Sequence, residues 1–200
     1  MGRVPVDRLH LVRHGESTWN VERRLQGATA HPPLTARGRQ QAAAAADVLR
    51  HRVTGPVRVL SSDLVRARET ADVVAAALGV PVVSEPGLRE QALGDLEGRL
   101  TADLREQPVP DGLDVTEVRW GGGESIADVH VRLRALLARL LGPDGADDVP
   151  DLVLVTHGDT LRVALAVLDG RDHRDVDWRV VGNGEVVTRD VGASRATGPG

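Results

Sequence analysis

Two apolar runs in this chain end in the same way. Leu9 to Thr18 reads "LHLVRHGEST" and Leu152 to Thr160 reads "LVLVTHGDT", so each run closes on a histidine followed by glycine. An imidazole is a nucleophile at neutral pH if one ring nitrogen is free of its proton while the other donates to a fixed acceptor. Arg13 precedes the first histidine, His14. Its guanidinium is always charged and binds phosphate through a planar fork. Gly15 leaves room for backbone or ligand to approach the ring. A single histidine after a strand is a weak signal. A pair, with an arginine beside one of them, suggests an anion site with a nucleophile in it. Three readings are open: a repeat, two metal ligands, or two halves of one pocket. Asp159 and Glu16 lie near the histidines and would suit a metal. A zinc site wants three or four ligands, however, and Arg13 would repel a dication.

The elements that must position these residues follow from periodicity. Leu9–Val12, Val57–Leu60, Val80–Val83 and Leu152–Val155 are short apolar runs and read as strands. Thr35 caps an Ala- and Gln-rich helix from Ala36 to Arg50. Ser61-Ser62-Asp63 reads as a capping cluster for the next helix, which sets Leu64, Ala67, Ala71, Val74 and Leu78 on one face before Gly79 ends it. Ile126, Val129, Leu133, Leu136 and Leu140 mark another helix, stopped by Gly142-Pro143. Leu161–Leu168 is a short one, and residues 106–124 are loop with the character of a lid. Val180–Val191 is expected to be a terminal hairpin or edge strand. Strands alternating with helices imply an α/β protein, a three-layer α/β/α sandwich whose central sheet is mostly parallel with one antiparallel edge strand. Sites in such sheets form beyond the carboxyl ends of the strands. Arg13, His14, the stretch Ser61–Arg66 and His157 all lie just past predicted strand ends. The helix start near Arg66 adds a dipole that favours an anion. Two guanidiniums, two imidazoles and helix N-termini suit phosphoryl transfer, which is mainly positioning and charge stabilisation.

Composition limits the alternatives. Residues 1–192 are expected to form one domain, with 193–200 a disordered tail. There is no cysteine, so thiolate chemistry and disulfides are excluded; there is also no lysine, which excludes a Schiff base. The net charge is −4 and the aromatics are only Trp19, Trp120 and Trp178, so no nucleic-acid partner is expected. No apolar stretch suits a signal peptide or a spanning helix, which leads to the expectation of a cytoplasmic protein with no membrane partner.

The blocks "LVRHGESTWNVERRLQG" (11–27), "PLTARGRQQA" (33–42), "SSDLVRARETA" (61–71), "LREQALGDLEG" (88–98), "GGES" (122–125) and "LVTHG" (154–158) occur in one order. Together they resemble the histidine phosphatase superfamily, of phosphoglycerate-mutase-like fold, and in particular its bacterial broad-specificity phosphatase branch. The resemblance implies that His14 is the nucleophile and becomes phosphohistidine. It implies that Arg13, Arg66 and His157 clamp the phosphoryl oxygens, that Asn20 adds an amide, and that Glu90 is the general acid and base. Ser17, Gln26, Gly27 and Gly158 fall on the matched blocks as further substrate contacts. The implied substrate is a small phosphorylated metabolite: a sugar phosphate, a phosphoglycerate derivative or a similar phosphomonoester. No metal or cofactor is implied, and the expected state is monomer or homodimer.

Two departures bear on the substrate. Leu96 stands where this branch often has Trp, and the chain has no Phe or Tyr to build an aromatic wall. Mutases that resemble the chain carry an Arg-, Tyr- and Pro-rich insertion between the acid and the "GES" helix; here Glu90 to Gly122 is short. A phosphatase is therefore favoured over a phosphotransferring mutase or a non-catalytic phosphate binder. Trp19 is either pocket wall or core. Arg23 and Arg24 either reach a second anionic group or are solvated. Glu124 with Ser125, and Asp159, are expected to cap the helices that follow them.

Overall fold

The computed structural model describes residues 6–142 and 149–192. The predicted tail at 193–200 and Pro143 lie outside them. Five strands, β1 (Arg8–Arg13), β2 (Val57–Ser61), β3 (Val82–Ser84), β4 (Asp151–Thr156) and β5 (Val186–Asp190), form one sheet in the order β3-β2-β4-β1-β5. All pairs are parallel except β1 with β5, so β5 is an antiparallel edge strand. The helices are α1 (Thr18–Glu22), α2 (Ala36–Arg52), α3 (Val65–Leu78), α4 (Ile126–Leu141) and α5 (Gly158–Leu168).

Alternation along the strands decides which helices cover which face. Leu9, Leu11, Leu60, Leu152 and Leu154 pack with Val129, Leu133 and Leu136 of α4 and Leu161 and Leu165 of α5. Val12, Val59, Val153 and Val155 point the other way, against Ala45, Ala46 and Leu49 of α2 and Ala67, Ala71 and Val74 of α3. Valines against alanines let that pair of helices lie close to the sheet. The result is the expected α/β/α arrangement.

Local differences from the sequence reading have local causes. Helix α1 escapes the periodic pattern because a five-residue turn has no apolar face; a Ser17–Asn20 capping box nucleates it. Helix α5 begins at Gly158 rather than 161, because the strand runs straight into it with His157 as N-cap. Gly182–Gly184 does not close a hairpin. It folds back over the end of β1, where the Gly184 amide donates to the Arg13 and His14 carbonyls. Ser125 caps α4 with Asp128 as its reciprocal partner, whereas Glu124 turns to Arg132.

Candidate active site

Register brings the two histidines together. Arg13 of β1 lies opposite Thr156 of β4, and the next residue in each strand is a histidine. The His14 and His157 rings meet edge to face, their centroids 5.1 Å apart. Both are buried, at 3% and 0% exposure.

His14 Nδ1 lies 2.6 Å from the Gly15 carbonyl oxygen. A carbonyl only accepts, so the proton sits on Nδ1 and Nε2 keeps its lone pair. Burial, then the Arg66 and Arg13 charges, hold the His14 pKa well below 6.5 against the Gly15 contact. The ring is therefore neutral at neutral pH, the state a nucleophile needs. Of the backbone and ligand approaches that the sequence reading allowed at Gly15, the structure shows a backbone one. A Cβ there would lie 2.2 Å from the Gly38 carbonyl oxygen, so α2 can dock on the strand end only if this residue has no side chain.

His157 Nε2 lies 2.9 Å from Ser62 Oγ. With the hydroxyl donating to Nε2, the His157 proton sits on Nδ1. The N-cap of α3 is Leu64, whose own side chain makes no capping bond, rather than a residue of Ser61-Ser62-Asp63. Ser62 Oγ accepts from the Leu64 amide at 3.3 Å and also meets His157, while Asp63 pairs with Arg89.

Arg66 is fully buried near the start of α3. Its Nη1 and Nη2 donate to the Thr29 and Gly27 carbonyls, each at 2.8 Å. Burial pushes its pKa down to about 10, with Glu90 and Glu97 opposing, so it remains a cation. Arg13 Nη1 donates to the Val181 carbonyl. Among the described residues, the buried side-chain polar atoms without a hydrogen-bond partner are Arg13 Nε, Arg66 Nε and His157 Nδ1. All belong to this cluster. A buried donor left unpaired costs about 1–3 kcal/mol, and an oxyanion would satisfy such donors.

Glu90 sits at the amino end of α5. It accepts from the amides of Asp159 at 3.2 Å and Thr160 at 3.0 Å, and from Thr160 Oγ1 at 3.0 Å. These donors hold the carboxylate at the positive end of the helix dipole. Asp159 lies in the first turn rather than at the cap, and its carboxylate meets Arg162 at 2.7 Å. Burial and the neighbouring Glu90 charge raise its pKa to about 6.

The other expected contacts occupy two places. Ser17 and Asn20 form the α1 capping box, and the Ser17 hydroxyl lies 2.7 Å from Gln26 Oε1. Asn183 Nδ2 donates to the His14 carbonyl at 3.1 Å, beside Asn20 Oδ1. Gly27 has a φ of +48° and offers its carbonyl to Arg66. Gly158 lies against the Arg13 and Arg162 side chains. Trp19 is half-buried against His31, and Arg24 pairs with Glu22 and the Gly98 carbonyl. Ser62, Thr160 and Asn183 were missed as site residues; the first two lie inside quoted motifs, but nothing local indicates what their hydroxyls meet.

A cavity of about 230 Å³ opens beside Glu90, lined also by Ala28, Arg89, Ala92, Glu124 and Arg132. A larger one of about 450 Å³, between Leu96, Leu104, Arg105 and Trp120, is not lined by either residue of the histidine pair. Among the described residues, no three or more His, Asp or Glu side chains are grouped to hold one metal ion, and no helix is long and apolar enough to cross a membrane.

The chain is similar to known proteins over most of its length. The sequence profile of the histidine phosphatase superfamily (branch 1) matches residues 9–197. A probable phosphoglycerate mutase GpmB of Enterobacter sp. (strain 638) is 38% identical over 169 residues, covering 81% of this chain and 74% of that protein. The structure of a mycobacterial glucosyl-3-phosphoglycerate phosphatase with VO3 is 35% identical with a TM-score of 0.74, over 92% of this chain and 90% of that one. A putative alpha-ribazole-5'-P phosphatase of Escherichia coli is 30% identical with a TM-score of 0.79, over 93% and 91%.

Proposed function

The chain belongs to the histidine phosphatase superfamily, and we propose that it hydrolyses small phosphomonoesters through a phosphohistidine formed on His14. The observation that carries this reading is the set of buried nitrogens, Arg13 Nε, Arg66 Nε and His157 Nδ1, grouped around a neutral His14. His14 Nε2 attacks phosphorus as the P–O bond to the alcohol breaks. Glu90, protonated, gives its proton to the leaving oxygen. Ionised, it then takes a proton from water as the water oxygen attacks phosphohistidine, which frees His14 and inorganic phosphate. Arg13, Arg66 and the His157 N–H hold the phosphoryl oxygens as charge builds on them. The positive charge comes from guanidiniums, so we expect no metal requirement.

Hydrolysis is favoured over phosphoryl return to a second alcohol. No side chain of residues 101–113 is buried, although Leu104 and Val109 are only partly exposed, so this stretch does not form a tightly packed cover that would exclude water. Phosphatase names among the similar structures support the same choice, while the mutase name among the curated relatives keeps phosphotransfer as the rival. Phosphorylated sugars and phosphoglycerate esters are the substrate class we favour. The test is a panel of phosphomonoesters with chelator present, assayed with wild type and His14→Ala. Release of phosphate by wild type alone is expected. Activity surviving in His14→Ala would overturn the mechanism, and transfer to a bisphosphate primer exceeding hydrolysis would favour the mutase.

A further inference from the structure

We propose that Glu97 is a positioning residue that sets the orientation of Arg66 and ties it to the segment carrying Glu90. The inference rests on the reading of Arg66 as a phosphate clamp. Glu97 Oε1 accepts from the Ala28 amide at 2.8 Å and from the Leu93 amide at 3.0 Å. Its Oε2 accepts from Thr29 Oγ1 at 2.5 Å. The residues on either side of Ala28 are the ones whose carbonyls receive Arg66: Gly27 O from Nη2 and Thr29 O from Nη1. One carboxylate thus grips the inside of the turn whose outside grips the guanidinium.

The turn is shaped for this contact. Gly27 is left-handed, and a Cβ on it would lie 2.4 Å from Glu97 Oε1, so the approach requires glycine. Leu93 lies three residues after Glu90, and its amide shares Oε1 with Ala28. The acid segment and the arginine-holding turn are therefore joined through one side chain, which touches neither substrate nor reacting atoms. The function needs a carboxylate. Three donors from two segments converge on it, and an ionised carboxyl has acceptor sites for all of them. A glutamine at 97 could keep its oxygen on the two amides only by turning its NH2 to Thr29 Oγ1, reversing that hydrogen bond, and it would lose the charge that a carboxylate sets beside Arg66. The negative charge also steadies the Arg66 cation.

The experiment is a double-mutant cycle on Glu97→Gln and Arg66→Ala, reading the dissociation constant of inorganic phosphate by calorimetry, kcat and KM on p-nitrophenyl phosphate, and melting temperature. Outer supporting residues of this type typically change affinity or activity about 10–100-fold. Glu97→Gln alone should weaken phosphate binding by that factor and raise KM. In the Arg66→Ala background it should weaken binding no further, because the group it orients is gone. Equal weakening in both backgrounds, or a lowered melting temperature with unchanged phosphate affinity, would overturn the inference. If Arg66→Ala itself leaves phosphate binding unchanged, the clamp reading fails and this inference fails with it. If Glu97→Gln does not fold, Thr29→Val removes only the hydroxyl that Oε2 holds. It should give a smaller loss of the same sign, again absent without Arg66; no loss would count against the inference.

Discussion

His14 and His157 face each other edge to face, 5.1 Å between ring centroids, at the carboxyl ends of two adjacent parallel strands. Neither ring is interchangeable with the other. The His14 proton is held on Nδ1 by the next carbonyl in its own chain, so Nε2 is the free lone pair. His157 Nε2 is engaged by Ser62, from another strand end, which leaves Nδ1 as the ring nitrogen without a protein partner. Two residues of one type are suited to the different proposed roles of nucleophile and oxyanion donor because their partners differ.

A covalent intermediate is the first expectation. Wild type mixed with substrate and quenched should carry a phosphoryl group that is stable in base and labile in acid, as a phosphohistidine is. The same label in His14→Ala would refute attack by this ring.

Glu90→Gln should separate chemistry from binding. Loss of a general acid and base costs about 10²–10⁴-fold in turnover. The Thr160 amide and hydroxyl, which meet Oε1, can still donate to the glutamine oxygen, and only the Asp159 amide, which meets Oε2, would face the NH2, so phosphate affinity should shift by no more than a few-fold. Equal losses in kcat and in phosphate affinity would assign Glu90 to binding instead.

Ser62→Ala should lower kcat about 10-fold or more and also lower the melting temperature, since the buried His157 Nε2 and the Leu64 amide both lose their partner. Ser62→Thr keeps the hydroxyl and should restore part of the rate. An alanine variant as fast as wild type would leave the hydroxyl without a catalytic role.

Stability should depend on pH in two opposite senses. Asp159, raised from 3.8 to about 6 in the folded state, contributes stability that is complete below 3.8 and lost as pH rises through 6. His14 and His157, both held well below 6.5 by burial, contribute stability that is present above 6.5 and lost as pH falls. Asp159→Asn should therefore melt progressively higher relative to wild type as pH rises from about 4 to about 7. A constant difference across that range would show that Asp159 titrates at its ordinary value.

The sequence by itself determined the elements and the identity of the chemistry. Apolar runs, helical periods and caps depend on contacts within a few residues, so β1, β2, β4, α2, α3 and α4 were readable from the chain, and the ordered motifs pointed to a histidine phosphatase. Arg13 needed no tertiary information to be placed beside His14. Tertiary structure decided what could not be local. Arg66 is held by carbonyls 37 and 39 positions away, Glu90 by a helix start 69 and 70 positions away, and His157 by a serine 95 positions away. Each of those contacts exists only because parallel strands deliver their carboxyl ends to one edge of the sheet. The packing there also decided that Gly15 yields to a helix backbone and that a serine expected to cap a helix meets a histidine ring. Pattern in the chain names residue types and faces; the direction in which a side chain donates is fixed by whichever distant segment the fold sets against it.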